Sequence, residues 1–330
     1  MTKLKTNKPF ILILLLWWGL LPSLAANSIE KGPKVVVSIT PFYGLVAAIL
    51  QGINTPTLLV KPGASVHHHA LKPSDIKNLE NAALIIWGGP QLESYLIKPL
   101  KTLSTQSTPL ILELAKIPTL HRFTSKSNGC EHHDHHLAHE VDPNHSTLDM
   151  HFWLDPQNAI AISQAIVDTL SNLDPLHASL YQKNGAALKK ELVDLDTKIT
   201  KQLKEVKNIP FIVFHDAYQY FTHRYQLKMV GIITLDPESS ISAKRLNTIL
   251  DIIQNTKAKC VFTEPNTRST LIKNLVQDSS IKIGVLDPEG DNTMQNEKGY
   301  FTLLNNLTDH LKECLEAPVL KNSAQKPKSP

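Results

Sequence analysis

The sequence is short of one-sided charge, of cysteine and of any apolar run long enough to cross a bilayer. With 34 Lys and Arg against 30 Asp and Glu in 330 residues, the formal net charge is only +4. So small an excess leaves no electrostatic footprint for nucleic acid. A composition 42% hydrophobic and 19% charged excludes an intrinsically disordered chain. H-E-x-x-H, G-x-S-x-G, G-x-G-x-x-G and the P-loop pattern are all absent, which removes the best-known hydrolase, dinucleotide and nucleotide signatures. The longest apolar run, Phe10 to Leu21, falls short of the ~20 residues a spanning helix needs.

That run reads instead as part of an export signal. Lys3, Lys5 and Lys8 precede it, and Pro22 and the small-residue junction Ser23-Leu24-Ala25 follow it. A positive start, an apolar centre and such a junction predict a signal peptide over residues 1–25. Its removal takes the three lysines away and lowers the charge from +4 to +1. No cysteine stands at the junction, so no lipid-attachment signal is read, and the exported chain is expected to be soluble. Export also puts the three cysteines in an oxidising compartment. Cys260 and Cys314 can pair there, leaving Cys130 over, and other pairings stay open. A bridge between positions 54 apart would constrain the unfolded chain by ~4 kcal/mol.

Beyond the signal, 305 residues make two domains of ordinary size. Nearly continuous apolar runs predict strands at Lys34–Ile39, Thr57–Val60, Ala83–Trp87 and Pro109–Leu112 in the first half. The second half has Phe211–Phe214, Met229–Thr234, Cys260–Thr263 and Ile281–Leu286. Runs of this kind, without alternation, belong to strands covered on both faces. Helical stretches intervene, such as Pro73–Leu79. The pattern predicts an α/β fold: two lobes, each with a mainly parallel four-stranded sheet. Between them, Leu188, Leu192, Leu195, Ile199, Leu203 and Val206 recur at steps of three and four, the stripe of an amphipathic helix. The stretch Ala178–Lys207 would span ~45 Å as a helix, long enough to join the lobes. The expected divisions are 26–176, a linking helix at 177–207 and 208–330.

One segment has no core to join. Between His121 and Asp149, seven of 29 residues are His, with acids Glu131, Asp134, Glu140, Asp142 and Asp149 interleaved. This composition attracts metal, and the segment is expected to be a loop. Outside its low-complexity part stand four residues beside predicted elements. His67 opens His67-His68-His69 after the second strand, His151 precedes a helix, and His215 and Asp287 directly follow strands. Open α/β sheets place ligand sites at the carboxyl ends of their strands. Three imidazoles and a carboxylate suit Zn²⁺. If all four are ligands, no place remains for an activated water, which favours binding over catalysis. If Asp287 is not a ligand, a zinc-dependent hydrolase with a three-His site remains open, as does a Mn²⁺ or general metal-binding protein or adhesin.

These residues lie in longer motifs. Pro62-Gly63-Ala64-Ser65-Val66-His67 leads to Leu71, Pro73, Ser74 and Asp75. His151-Phe152-Trp153-Leu154-Asp155-Pro156 and Phe214-His215-Asp216-Ala217-Tyr218-Gln219-Tyr220-Phe221 follow. Glu264-Pro265 and Leu286-Asp287-Pro288-Glu289-Gly290 complete the set. In these the chain resembles the periplasmic zinc-binding subunits of bacterial high-affinity zinc ABC transporters, within the metal-specific solute-binding proteins. The resemblance implies two α/β lobes joined by one long helix and a modest rearrangement on binding. It implies His67, His151 and His215 as zinc ligands, with Asp287 or a water completing the sphere. Manganese relatives carry a carboxylate where His215 stands, so the histidine points to Zn²⁺. A His-rich acidic insert is typical of zinc members, which makes His132, His133, His135, His136 and His139 secondary metal residues. A disulfide between Cys260 and Cys314 is implied in the same way. So are an inner-membrane ABC permease as partner, a Gram-negative periplasmic location and a monomeric binding protein rather than an enzyme. Val66 departs from the acidic residue some members carry before the first ligand. His68 and His69 replace a common Asp and Tyr, and Cys130 fits no family pattern.

Overall fold

The computed structural model describes residues 31–105, 109–124, 148–235, 237–238, 240–265, 269–277 and 280–317. The expected signal peptide, the five secondary histidines and Cys130 lie outside them. The first lobe runs β1 (Val35–Val37), α1 (Thr40–Ile49), β2 (Thr57–Leu58), α2 (Pro73–Glu80), β3 (Leu84–Trp87), α3 (Ile97–Leu103) and β4 (Leu110–Glu113). Helices α4 (Pro156–Leu173) and α5 (Ala178–Leu203) follow. The second lobe runs β5 (Phe211–His215), α6 (Gln219–Arg224), β6 (Met229–Thr234), α7 (Ala243–Thr256), β7 (Cys260–Thr263), α8 (Ser269–Val276), β8 (Lys282–Val285) and α9 (Gly299–Glu316). No helix among the described residues is long and apolar enough to cross a membrane.

Both sheets have four strands, in the orders β2-β1-β3-β4 and β6-β5-β7-β8. Every pair is parallel. The order reverses direction between β1 and β3, and again between β5 and β7, and each reversal leaves a crevice at the strands' carboxyl ends. All eight predicted strands are present. Four are trimmed by one to three residues, two keep their expected bounds, the fifth gains His215, and the fourth is shifted to end on Glu113.

The unbroken apolar runs are explained by packing on both faces. Val35 and Val37 of β1, Leu84 and Ile86 of β3, and Phe211 and Val213 of β5 join one core that runs through both lobes. The residues between them point the other way. Val36 and Ile85 pack under the outer helices of the first lobe, and Ile212 and Phe214 under those of the second. A core shared across the junction resists wide hinge opening, because close-packed interiors deform little.

Helix α5 supplies much of that shared core through Leu188, Leu192, Leu195, Ile199 and Leu203. Gly185, which breaks the helical propensity, lets α5 approach α4, since a Cβ there would collide with the Val167 side chain. The helix ends at Leu203 rather than continuing to Lys207. Val206 still completes the stripe, buried to 1% exposure, but the chain has already turned ahead of Pro210, which disfavours helix in the residue before it. Helix α9 returns across both lobes, packing on β8 and on α1. At Gly44 of α1 a Cβ would lie 2.6 Å from the Tyr300 backbone nitrogen. Cys260 in β7 and Cys314 in α9 form the disulfide, with Cα atoms 6.3 Å apart, and fasten that helix to the sheet.

Candidate metal centre

Each histidine reaches the cleft by a different local device. His67 sits in the loop after β2, where Gly63 takes φ +83, a left-handed conformation that glycine adopts without strain. Ser65 Oγ accepts from the backbone N–H groups of His67 and His68 at 3.2 and 3.1 Å. Val66 is buried in the core. The residue that departs from the acidic pattern is therefore the loop's apolar anchor, and His67 beside it faces His151 and His215.

His151 begins a short helical turn in which Phe152, Trp153 and Leu154 are fully buried. Asp155 then caps α4 by accepting from Gln157 N–H at 2.9 Å, as a carboxylate at a helix start does. Trp153 donates its indole N–H to the Pro288 carbonyl of the second lobe at 2.8 Å. Tyr300 donates to the Trp153 carbonyl at 2.7 Å. The motif is thus a bridge between lobes. His215 is the last residue of β5.

The three rings converge. Centroids lie 5.6 Å apart for His67 and His151, 5.8 Å for His67 and His215, and 4.9 Å for His151 and His215. One ring nitrogen from each falls within 4.8 Å of the others. Carboxylates fix two of the rings from behind. His151 Nδ1 stands 2.9 Å from Asp149 Oδ1, and His215 Nδ1 stands 3.1 Å from Glu264 Oε1. Donating Nδ1–H outward leaves the Nε2 lone pair for a cation, the usual support for a metal-bound imidazole. His151 Nε2 is buried and finds no hydrogen-bond partner among the described residues. Neutral nitrogen donors gathered on one point suit a borderline cation such as Zn²⁺, at Zn–N distances of ~2.0–2.1 Å.

Asp287 lies at the mouth of this cluster, not among the gathered donors. It lines a cavity of about 390 Å³ with His67, Glu264 and Glu289. Its Oδ1 accepts from the backbone N–H groups of Glu289 and Gly290, both at 2.9 Å. Burial holds its carboxyl above the usual range against those two bonds, with Glu264 and Asp291 adding to the rise. Burial, with Glu264, Asp287 and Glu238 adding to the rise, pushes Glu289 to about 8. Such a mouth favours an approaching cation, whose charge would reverse both shifts. Of the triplet, only His67 joins the cluster. The His69 ring packs against Tyr95 at 5.4 Å instead.

Two supporting residues carried no role at the level of sequence. Asp149 counted as one more acid of the His-rich stretch, yet it is buried and holds His151. Only its place two residues before a candidate ligand hinted at the pairing, and spacing alone does not show that a carboxylate is buried. Glu264 stood in a motif without an assigned task. The two ends of the 121–149 stretch lie among the described residues. His121 Nδ1 lies 3.2 Å from Asp155 Oδ2 and its backbone N–H donates to Asn158 at 2.7 Å. Thr124 and Leu148 pair as an antiparallel bridge, so residues 121–124 and 148–149 are a structured stem.

The chain matches the family described as "Zinc-uptake complex component A periplasmic" over residues 35–314. It is 39% identical over 305 residues to the high-affinity zinc uptake system protein ZnuA of Brucella abortus (strain 2308), covering 85% of this chain and 91% of the relative. To the protein of that name from Yersinia pestis it is 33% identical over 289 residues, covering 86% and 91%. The crystal structure of the Streptococcus pneumoniae AdcAII protein superposes with a TM-score of 0.70 at 27% identity, covering 87% of this chain and all of that one. A Zn(II)-bound variant of AdcAII gives 0.69 at 26% identity, covering 86% and 99%. On this evidence the chain belongs to the family of periplasmic A components of zinc-uptake complexes.

Proposed function

We propose that this chain captures Zn²⁺ in the periplasm through His67, His151 and His215, with Asp287 or a water as fourth donor, and delivers it to an inner-membrane ABC permease. The observation that carries the reading is the convergence of three imidazoles from both lobes, two of them backed by carboxylates. The family is one of solute-binding proteins, not enzymes, and zinc is cargo here rather than a reagent. Residues 1–25 would direct export in a Gram-negative cell and be removed from the mature chain. Asp287 keeps Oδ2 to offer once Oδ1 is committed to the backbone, and a water is the alternative fourth donor because Asp287 is not among the gathered donors. His132, His133, His135, His136 and His139 would collect further ions more weakly.

Competition against a chelator tests the ligand set. His215→Ala should weaken zinc binding by at least 100-fold, since structural zinc affinities depend on every ligand. An unchanged affinity would reject the assignment.

A further inference from the structure

The two carboxylates behind the metal centre are held by different means. Glu264 follows β7 directly, beside His215 on β5, so the sheet itself sets their separation. Tyr218 adds a hydroxyl donor to Glu264 Oε1 at 3.1 Å. Asp149 has no strand beneath it. Its supports arrive from the second lobe, from the two residues that open α6. Gln219 Nε2 donates to Asp149 Oδ2 at 3.3 Å and to the Thr124 carbonyl at 3.0 Å. The Tyr220 hydroxyl donates to the Asp149 carbonyl at 2.8 Å and accepts from Phe123 N–H at 3.1 Å. Asp149 N–H in turn donates to the Phe123 carbonyl at 2.9 Å.

The chemistry of the glutamine makes this arrangement specific. An amide nitrogen carries two protons, and both have an acceptor here. Flipping the amide would aim its oxygen at a carbonyl and a carboxylate, so the orientation is fixed by its partners. Asp149 Oδ1 is meanwhile occupied by both the backbone N–H and the Nδ1 of His151, at 3.0 and 2.9 Å. Without Gln219, Oδ2 loses a donor inside a site where Asp149 is 4% and Gln219 8% exposed. A buried carboxylate oxygen without its donor is costly, and rotation of the carboxylate to find another would carry His151 with it.

We propose that Gln219 is a positioning residue of the metal centre. From the second lobe it fixes the Asp149 carboxylate that orients His151, and through Thr124 and Asp149 it pins both ends of the stem that carries residues 125–147. One short stretch, 215–220, then supplies a ligand, sets the outer carboxylates of two ligands, and holds the stem of the His-rich segment. The inference rests on His151 being a zinc ligand.

The test is a double-variant cycle on the full exported chain, with Gln219→Met, Asp149→Asn, their combination, and His151→Ala as reference. Zinc affinity is read by chelator competition, and ligand geometry by the visible absorption of the Co²⁺-loaded protein. Gln219→Met should lower zinc affinity 10- to 100-fold, the usual effect of an outer-shell change, and should shift or weaken the Co²⁺ bands. The double variant should bind no more than about twofold more weakly than Asp149→Asn alone, because both changes cut one linkage. Should Gln219→Met fail to fold, Gln219→Ala removes the amide without setting a new charge against Asp149 and carries the same expectations. Losses that multiply in the double variant would overturn the proposal. So would unaltered affinity and unaltered Co²⁺ bands in the glutamine variant while His151→Ala loses zinc. An unaltered affinity in His151→Ala would instead remove the ligand reading on which the proposal stands.

Discussion

The two lobes share a strand order and differ in how they present the clustered histidines. In the second lobe, His215 ends a central strand, and Glu264, which orients it, ends the neighbouring one. In the first, His67 stands in a loop beyond β2, and His151 stands outside the sheet altogether. Both lobes place a glutamate after the third strand. Glu264 faces His215, whereas Glu93 is wholly buried behind the turn, accepting from Gly89 N–H at 2.9 Å. A ligand on a strand inherits precision from the ladder. One on a loop must import it, and here the imports are Asp149, Trp153 and the contacts that cross between lobes.

The comparison can be broken most forcefully at the disulfide, which only the second lobe has among the described residues. Cys314→Ser should lower unfolding stability by about 2–5 kcal/mol, because α9 is then held to β7 by packing alone. Denaturant titration measures it. A change near zero would mean that the shared core already carries α9.

A subtler difference lies in Glu93. Burial raises its pKa to about 7, against hydrogen bonds that lower it. A group whose folded pKa lies above its unfolded value contributes stability at low pH and loses it as pH climbs through the folded pKa. Between about pH 4.5 and 7 the native protein should therefore lose up to ~3 kcal/mol on this account. Glu93→Gln should flatten the slope in that window. An identical pH profile in the variant would remove the buried carboxyl from the account.

The smallest effect is expected from the first lobe's insert. Because Thr124 and Leu148 already pair, joining them across a deleted 125–147 should leave the tight zinc site within about threefold of its affinity, with weaker binding lost. Titration calorimetry separates the two classes of site, and loss of the tight one would contradict the stem as drawn.

How far the sequence led can be read from particular residues. Val35, Ile86 and Val213 announced their strands because both faces are covered, and the Leu188–Leu203 stripe announced α5 because one side is. His215 and Asp287 were legible as residues at strand ends. Asp149 was not, because composition merged it with neighbouring acids, and nothing local distinguishes a buried carboxylate from a solvated one. Gln219 was invisible for a related reason: its partners are Thr124 and Asp149, some 95 and 70 residues away. Val66 read as a missing carboxylate, and only the packing shows it as an anchor. Periodicity reports burial along an element; it does not report which polar groups meet across the chain.

The claim beneath all of this is that three imidazoles take one zinc ion between the lobes. X-ray absorption at the zinc edge, on protein lacking residues 125–147 and loaded with one equivalent, reads that sphere directly. The account predicts three imidazole nitrogens at ~2.0–2.1 Å and one oxygen at a similar distance. A sphere of oxygens alone, or one with fewer than three imidazoles, would contradict it.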